Sequence, residues 1–264
     1  MKQYSEARGS PGGVGVPPAS RERSPPSTWA ELYGLGGAAA LVAAGLILAE
    51  VVAFALHPQP GTAGDWFVLF QNDRLLGLLN FWGLEVPMYL MFVPLFLALY
   101  VALGASNPAR TAMGLTFALL GIGIFLATNN PFAMLSVSDQ YAAATTEAQR
   151  ASVLAAGQAV LAATTQRAVG GVNLGLFLVS VAGLIISSVM LQGTLFSRAT
   201  AHFGLLAHAL SLADYLRNAL TASPLVALLV ILPNAPFLVI WYALVGRRLY
   251  HLGRRDAKAL RDQA

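Results

Sequence analysis

Charge is nearly absent from the middle of this chain, and that constrains its fold more than any other feature. Apolar stretches long enough to cross a bilayer fill residues 34–246, and most basic residues stand beside them. Hydrocarbon offers no partner to a backbone amide, so roughly 20 consecutive apolar residues in lipid must satisfy their own hydrogen bonds as a helix. Segments 34–56, 81–103, 111–128, 170–191, 200–220 and 224–246 meet that requirement. Only 11% of the 264 residues are charged, against about a quarter in a soluble domain. The expected fold is an all-α polytopic membrane bundle of about six transmembrane helices, one domain over 34–246 with a tail at each end.

The tails and loops carry the orientation signal. Residues 1–33 mix Pro-Gly and Pro-Pro steps, Ser and charges without apolar periodicity, which predicts a disordered cytoplasmic tail. Ala53-Phe54-Ala55 resembles a signal-peptidase site, but the leader it implies is too long and its apolar stretch exceeds an ordinary signal core. The first segment is therefore read as an uncleaved span. With six spans and the N-terminus inside, Lys2, Arg8, Arg21, Arg23, Arg110, Arg198, Arg247, Arg248, Arg254, Arg255, Lys258 and Arg261 are cytoplasmic. Only Arg74, Arg150, Arg167 and Arg217 lie outside. This asymmetry follows the positive-inside rule and places both termini on the cytoplasmic side of the inner (plasma) membrane.

The fifth segment is the weakest, because His202, His208, Asp214 and Arg217 interrupt it. An amphipathic interfacial helix competes there with a span. Five spans would, however, put the two basic tails on opposite sides. The tail 247–264 should continue the last helix onto anionic lipid at the cytoplasmic surface. Basic residues flanking spans point to lipid, not to nucleic acid. Cysteine is absent, which removes disulfides, thiolate metal sites and cysteine nucleophiles.

Two outer segments are more than turns. Residues 65–79 combine Asp65, Trp66 and Phe67 with several Leu, and suit a short interfacial helix. Residues 137–168 are too Ala-rich for a free loop and predict a helical hairpin on the outer mouth, with Ser138 or Asp139 as a cap. The runs Asn129-Asn130-Pro131-Phe132-Ala133-Met134-Leu135-Ser136, Ser138-Asp139-Gln140-Tyr141-Ala142-Ala143-Ala144-Thr145, Phe196-Ser197-Arg198-Ala199-Thr200-Ala201 and Trp241-Tyr242-Ala243-Leu244-Val245-Gly246-Arg247-Arg248-Leu249 carry a resemblance. They are similar to a family of bacterial and archaeal multipass membrane proteins known only as a domain of unknown function (DUF4386-type). The resemblance covers about residues 30–255. It implies a multipass helical fold and supplies no substrate and no site residues.

Ionisable groups at membrane depth cost roughly 2.5–3.5 kcal/mol each on insertion scales, so each needs a reason. Glu50 and Glu85 sit at similar depth in the outer leaflet, Glu85 just before Pro87. Facing each other they would share a proton or hold a cation; otherwise each turns its carboxylate toward interfacial water. Asn129, Asn130, Asn173 and Asp214 fall near the same level. Asn234 lies between Pro233 and Pro236, a pair that predicts a kink or break in the last span. Such a kink shapes packing in many structural helices and lines binding sites in transporters. The polar groups thus gather in the outer half as a cup for a small ligand or cation.

No metal spacing joins His202 to His208, and no nucleophile elbow, phosphate loop or dinucleotide fingerprint is present. The chain is read as non-enzymatic, with no cofactor or metal. Asp214 and Arg217 are spaced for a local ion pair, and Gly121, Gly123, Gly171 and Gly175 for helix contact faces. Pro94, Tyr100 and Gly104 match Pro236, Tyr242 and Gly246 in spacing, a short hint of a repeat. Three function classes follow, in this order: binding or movement of a small ligand or cation through the outer cup, a structural or regulatory subunit acting through protein contacts, and an intramembrane enzyme, for which no nucleophile–base pair or metal set is visible.

Overall fold

The computed structural model describes residues 29–164, 173–220 and 224–262. The described residues are helical throughout, without a strand. The elements are α1 (Ala30–Leu56), α2 (Ala63–Asn72), α3 (Arg74–Leu78), a distorted turn Leu79–Gly83, α4 (Glu85–Leu103), α5 (Pro108–Thr128), α6 (Pro131–Ala143), α7 (Glu147–Thr164), α8 (Leu174–Met190), α9 (Arg198–Leu220) and α10 (Pro224–Arg261). By length and composition, Ala30–Leu56, Glu85–Leu103 and Pro108–Ala143 can cross a membrane; the last includes α5 and α6, and Leu174–Met190 is apolar but shorter. These long apolar helices fit a membrane protein. Residues 1–28 of the expected N-terminal tail lie outside the described residues, as do Arg167 and residues 170–172 at the predicted start of the fourth span.

Six helices close into a ring in chain order: α1 packs on α4, α4 on α5, α5 on α8, α8 on α9, α9 on α10, and α10 back on α1. Small residues set the tightest seams. A Cβ on Gly37 would lie 2.4 Å from the Tyr250 backbone nitrogen, and one on Gly253 2.6 Å from that of Gly34. Main chain meets main chain there, which only glycine permits. Gly121 and Gly175 join α5 to α8 in the same way, whereas Gly123 faces open space and makes no helix contact. Gly171 lies outside the described residues.

The fifth segment forms α9, held between α8 and α10, and two expectations change on contact with this ring. Pro233 and Pro236 do not break the last span; α10 runs through both and on to Arg261, as the continuation of the C-terminal tail required. The second span, expected from residue 81, begins at Glu85. Trp82 adopts a left-handed backbone (φ 65°), and Phe81 is non-helical too, so the chain turns before α4 can start.

The connections α1–α4 and α5–α8 form a second layer at one end of the ring. There α2, α3, α6 and α7 pack on one another around Trp66, Phe67, Phe70 and Met134. The expected helical hairpin forms as α6 and α7, and it is fastened to α2 and α3 through Gly157 against the Phe67 ring, a Ser138 Oγ bond to the Phe67 carbonyl at 3.3 Å, and an exposed Arg74–Asp139 ion pair. Ser138 and Asp139 therefore lie inside α6 and do not cap it. Asn130 caps α6, and Thr146 and Gln149 close the turn before α7.

Candidate functional site

A cavity of about 310 Å³ lies inside the ring, nearer the end that carries the second layer. Five helices wall it: α1, α4, α8, α9 and α10. Its walls are mostly aliphatic and aromatic, as is usual for a small-molecule pocket of this size. The chain's antiparallel alternation explains its polar content. The end of α1, the start of α4, the end of α9 and the first half of α10 meet at one level, and each brings a polar residue there.

Glu50 comes from the last turns of α1 and is half-buried in the cavity wall. Behind it stands Glu85, 4% exposed, in the first turn of α4, where the helix N-terminus favours negative charge. The Glu85 carboxyl lies close to the Glu50 side chain, and its Oε2 has no hydrogen-bond partner among the described residues. Two neighbouring carboxyl groups are not both ionised at low cost without a shared proton or a nearby cation. One turn further along α4, Tyr89 is fully buried, with its ring stacked on Phe125 at 3.6 Å. Its hydroxyl has no hydrogen-bond partner and lies within electrostatic reach of Glu50, Glu85, Tyr215 and Tyr242.

On the opposite wall, Asn234 of α10 donates through Nδ2 to Ser211 Oγ of α9 at 3.1 Å. Asn234 therefore ties two ring helices together at cavity level. His208, also a wall residue, is wedged between its neighbours. Its ring meets Trp241 edge-on at 4.8 Å, and a Cβ on Gly183 would lie 2.1 Å from its Nε2.

Of the residues singled out from sequence, Glu50, Glu85 and Asn234 are brought to one level, two in the wall and Glu85 directly behind it. The others serve local structure. Asn130 and Asn173 cap α6 and α8 by accepting from the Phe132 and Leu176 amides. Asn129 is buried at the end of α5, a helix that contributes no wall residue, and donates to the Phe125 carbonyl. Asp214 is half-buried on α9 beside the wall residue Tyr215. The side chain of Arg217 lies outside the described residues.

Sequence reasoning missed the tyrosines Tyr89, Tyr215 and Tyr242 and the serines Ser180 and Ser211. An aromatic or serine within an apolar run reads as packing. Only their recurrence at the same depth as Glu50 on different helices marks them. Among the described residues no group of three or more His, Asp or Glu side chains is placed to hold a metal ion. No protein-family model, curated protein or solved structure matches the chain.

Proposed function

We propose that the chain is a multipass protein of the cell membrane that binds a small ligand in the cavity of its helical ring. In this reading all six ring helices cross the bilayer. The layer of α2, α3, α6 and α7 faces outward, and the basic end of α10 lies on anionic lipid at the cytoplasmic surface. The observation that carries it is the convergence of Glu50, Glu85, Tyr89 and the Ser211–Asn234 pair on one intramembrane cavity. Burying such groups is costly unless a function retains them. Val51, 47% exposed, and the half-buried Glu50 both stand in its wall.

A chain without native cysteine makes the test direct. Cysteine is introduced singly as Glu50→Cys, Asn234→Cys and, on the exposed face of α1, Leu48→Cys. Intact cells are then treated with a membrane-impermeant maleimide. The ligand-binding reading expects labelling at 50 and 234 and none at 48. A structural subunit acting only through protein contacts has no need of a wet cavity, and absence of labelling at both 50 and 234 would favour it.

A further inference from the structure

We infer that the ligand of this cavity is a small organic monocation, an amine carried as its ammonium on an apolar body. The inference rests on the ligand-binding reading above and adds the chemical class.

Charge is the first argument. Among the described wall residues Glu50 is the one carboxylate and none is Lys or Arg, and Glu85 lies directly behind Glu50. An anion would meet these carboxyls without a counter-charge. A zwitterion would find a partner for its ammonium but none for its carboxylate. A neutral apolar molecule would press hydrocarbon against Glu50 and leave it desolvated.

The rings are the second argument. Tyr89, Phe92 and Tyr242 form a continuous aromatic wall, with Phe92 5.1 Å from Tyr89 and 5.3 Å from Tyr242 between centroids. Ring faces carry negative potential and attract an ammonium, all the more where water is excluded. The Tyr89 hydroxyl supplies an independent sign of a ligand. It is fully buried, has no hydrogen-bond partner among the described residues and belongs to the wall beside the two carboxyls. A phenolic oxygen there accepts a hydrogen bond from an ammonium N–H.

Size and lining complete the argument. A hard metal ion requires six or more oxygen ligands at close range, and among the described residues this wall offers one carboxylate, with Ser180, Ser211 and Asn234 already engaged in hydrogen bonds. A space of about 310 Å³ with walls such as Met88, Leu176, Val179 and Leu238 suits the body of an organic molecule.

The test uses the purified full-length protein in lipid nanodiscs with three probes of one shape: phenethylammonium, 2-phenylethanol and 3-phenylpropanoate. Binding is followed by tryptophan fluorescence, since Trp241 packs against the wall residues His208 and Tyr242. Phenethylammonium should bind at least roughly tenfold tighter than the alcohol, as expected when a charged group replaces a neutral one in a hydrogen bond, and the carboxylate should not bind. Glu50→Gln should remove that tenfold preference. Ala235→Phe, which fills the cavity, should abolish binding of both.

Equal affinity for ammonium and alcohol in the wild type would overturn the cation inference and leave the cavity reading standing. So would preference for the carboxylate, or a Glu50→Gln protein that melts like wild type and keeps the preference. Ammonium binding that survives Ala235→Phe would place the amine elsewhere and overturn the inference. Failure of all three probes to bind would overturn both readings.

Discussion

Among the described residues, Trp82 is the non-glycine residue with a left-handed backbone, and its neighbours explain why it is held there. Its ring is buried edge-on against Phe125 at 5.6 Å, and a Cβ on the next residue, Gly83, would lie 2.3 Å from the Leu78 carbonyl. The side chain has to point inward while the main chain reverses, and left-handed φ is the one way to do both. That conformation costs an L-residue about 1–2 kcal/mol. Trp82→Gly and Trp82→Ala should both destabilise by loss of the ring, but the glycine variant by about 1 kcal/mol less. Denaturation in an SDS titration measures the difference, and the opposite order would mean that φ at this site is not strained. No sequence pattern announces such a residue, since tryptophan near a predicted span boundary reads as an interfacial anchor. Glu50 and Asn234 were legible because a polar group within an apolar run has few explanations. Tyr89 was not, because its meaning depends on which face of α4 turns toward the cavity.

For whole elements, hydropathy and packing carried different information. The segment 34–56 coincides with α1, and 111–128 and 200–220 with α5 and α9 to within a few residues, because a long apolar run closes its own backbone hydrogen bonds as a helix. Which helix neighbours which is set by surface shape, and there the glycines decide. On α1, Gly37 and Gly45 look alike in sequence. Gly37 lies against the Tyr250 backbone, whereas Gly45 has no heavy atom near its would-be Cβ. Gly37→Ala should force α1 and α10 apart and cost about 1–3 kcal/mol. Gly45→Ala should be neutral or stabilise by up to about 1 kcal/mol through helix propensity. Thermal unfolding of the two variants side by side checks the contrast. Equal effects would show that the α1–α10 seam has room to give.

At the scale of the molecule, the ring and its one-ended second layer fix which segments share a side. The turn before α7 and the start of α2 belong to one end, the α4–α5 turn and the basic stretch of α10 to the other. Under the proposed topology, Glu147→Cys should react with an impermeant reagent in intact cells, and Ser106→Cys only after the membrane is opened. Both side chains are exposed, so access and not burial decides the result. Labelling in the reverse pattern would invert the orientation drawn from the basic residues.

Ring closure also has a consequence for how the molecule is made. The cavity is walled by α1 at one side and α10 at the other, and these two helices, earliest and latest in the ring, meet along its tightest seam. A ribosome delivers α1 long before α10 exists. Until then the Glu50 side of the pocket faces lipid or the insertion machinery. Closing so long a loop is entropically slow compared with pairing neighbours. Under the proposed function and topology, the cavity is therefore the last thing to form in biosynthesis, and a chain halted before α10 would carry an unshielded acid in the bilayer, a mark by which quality control can tell unfinished molecules from finished ones.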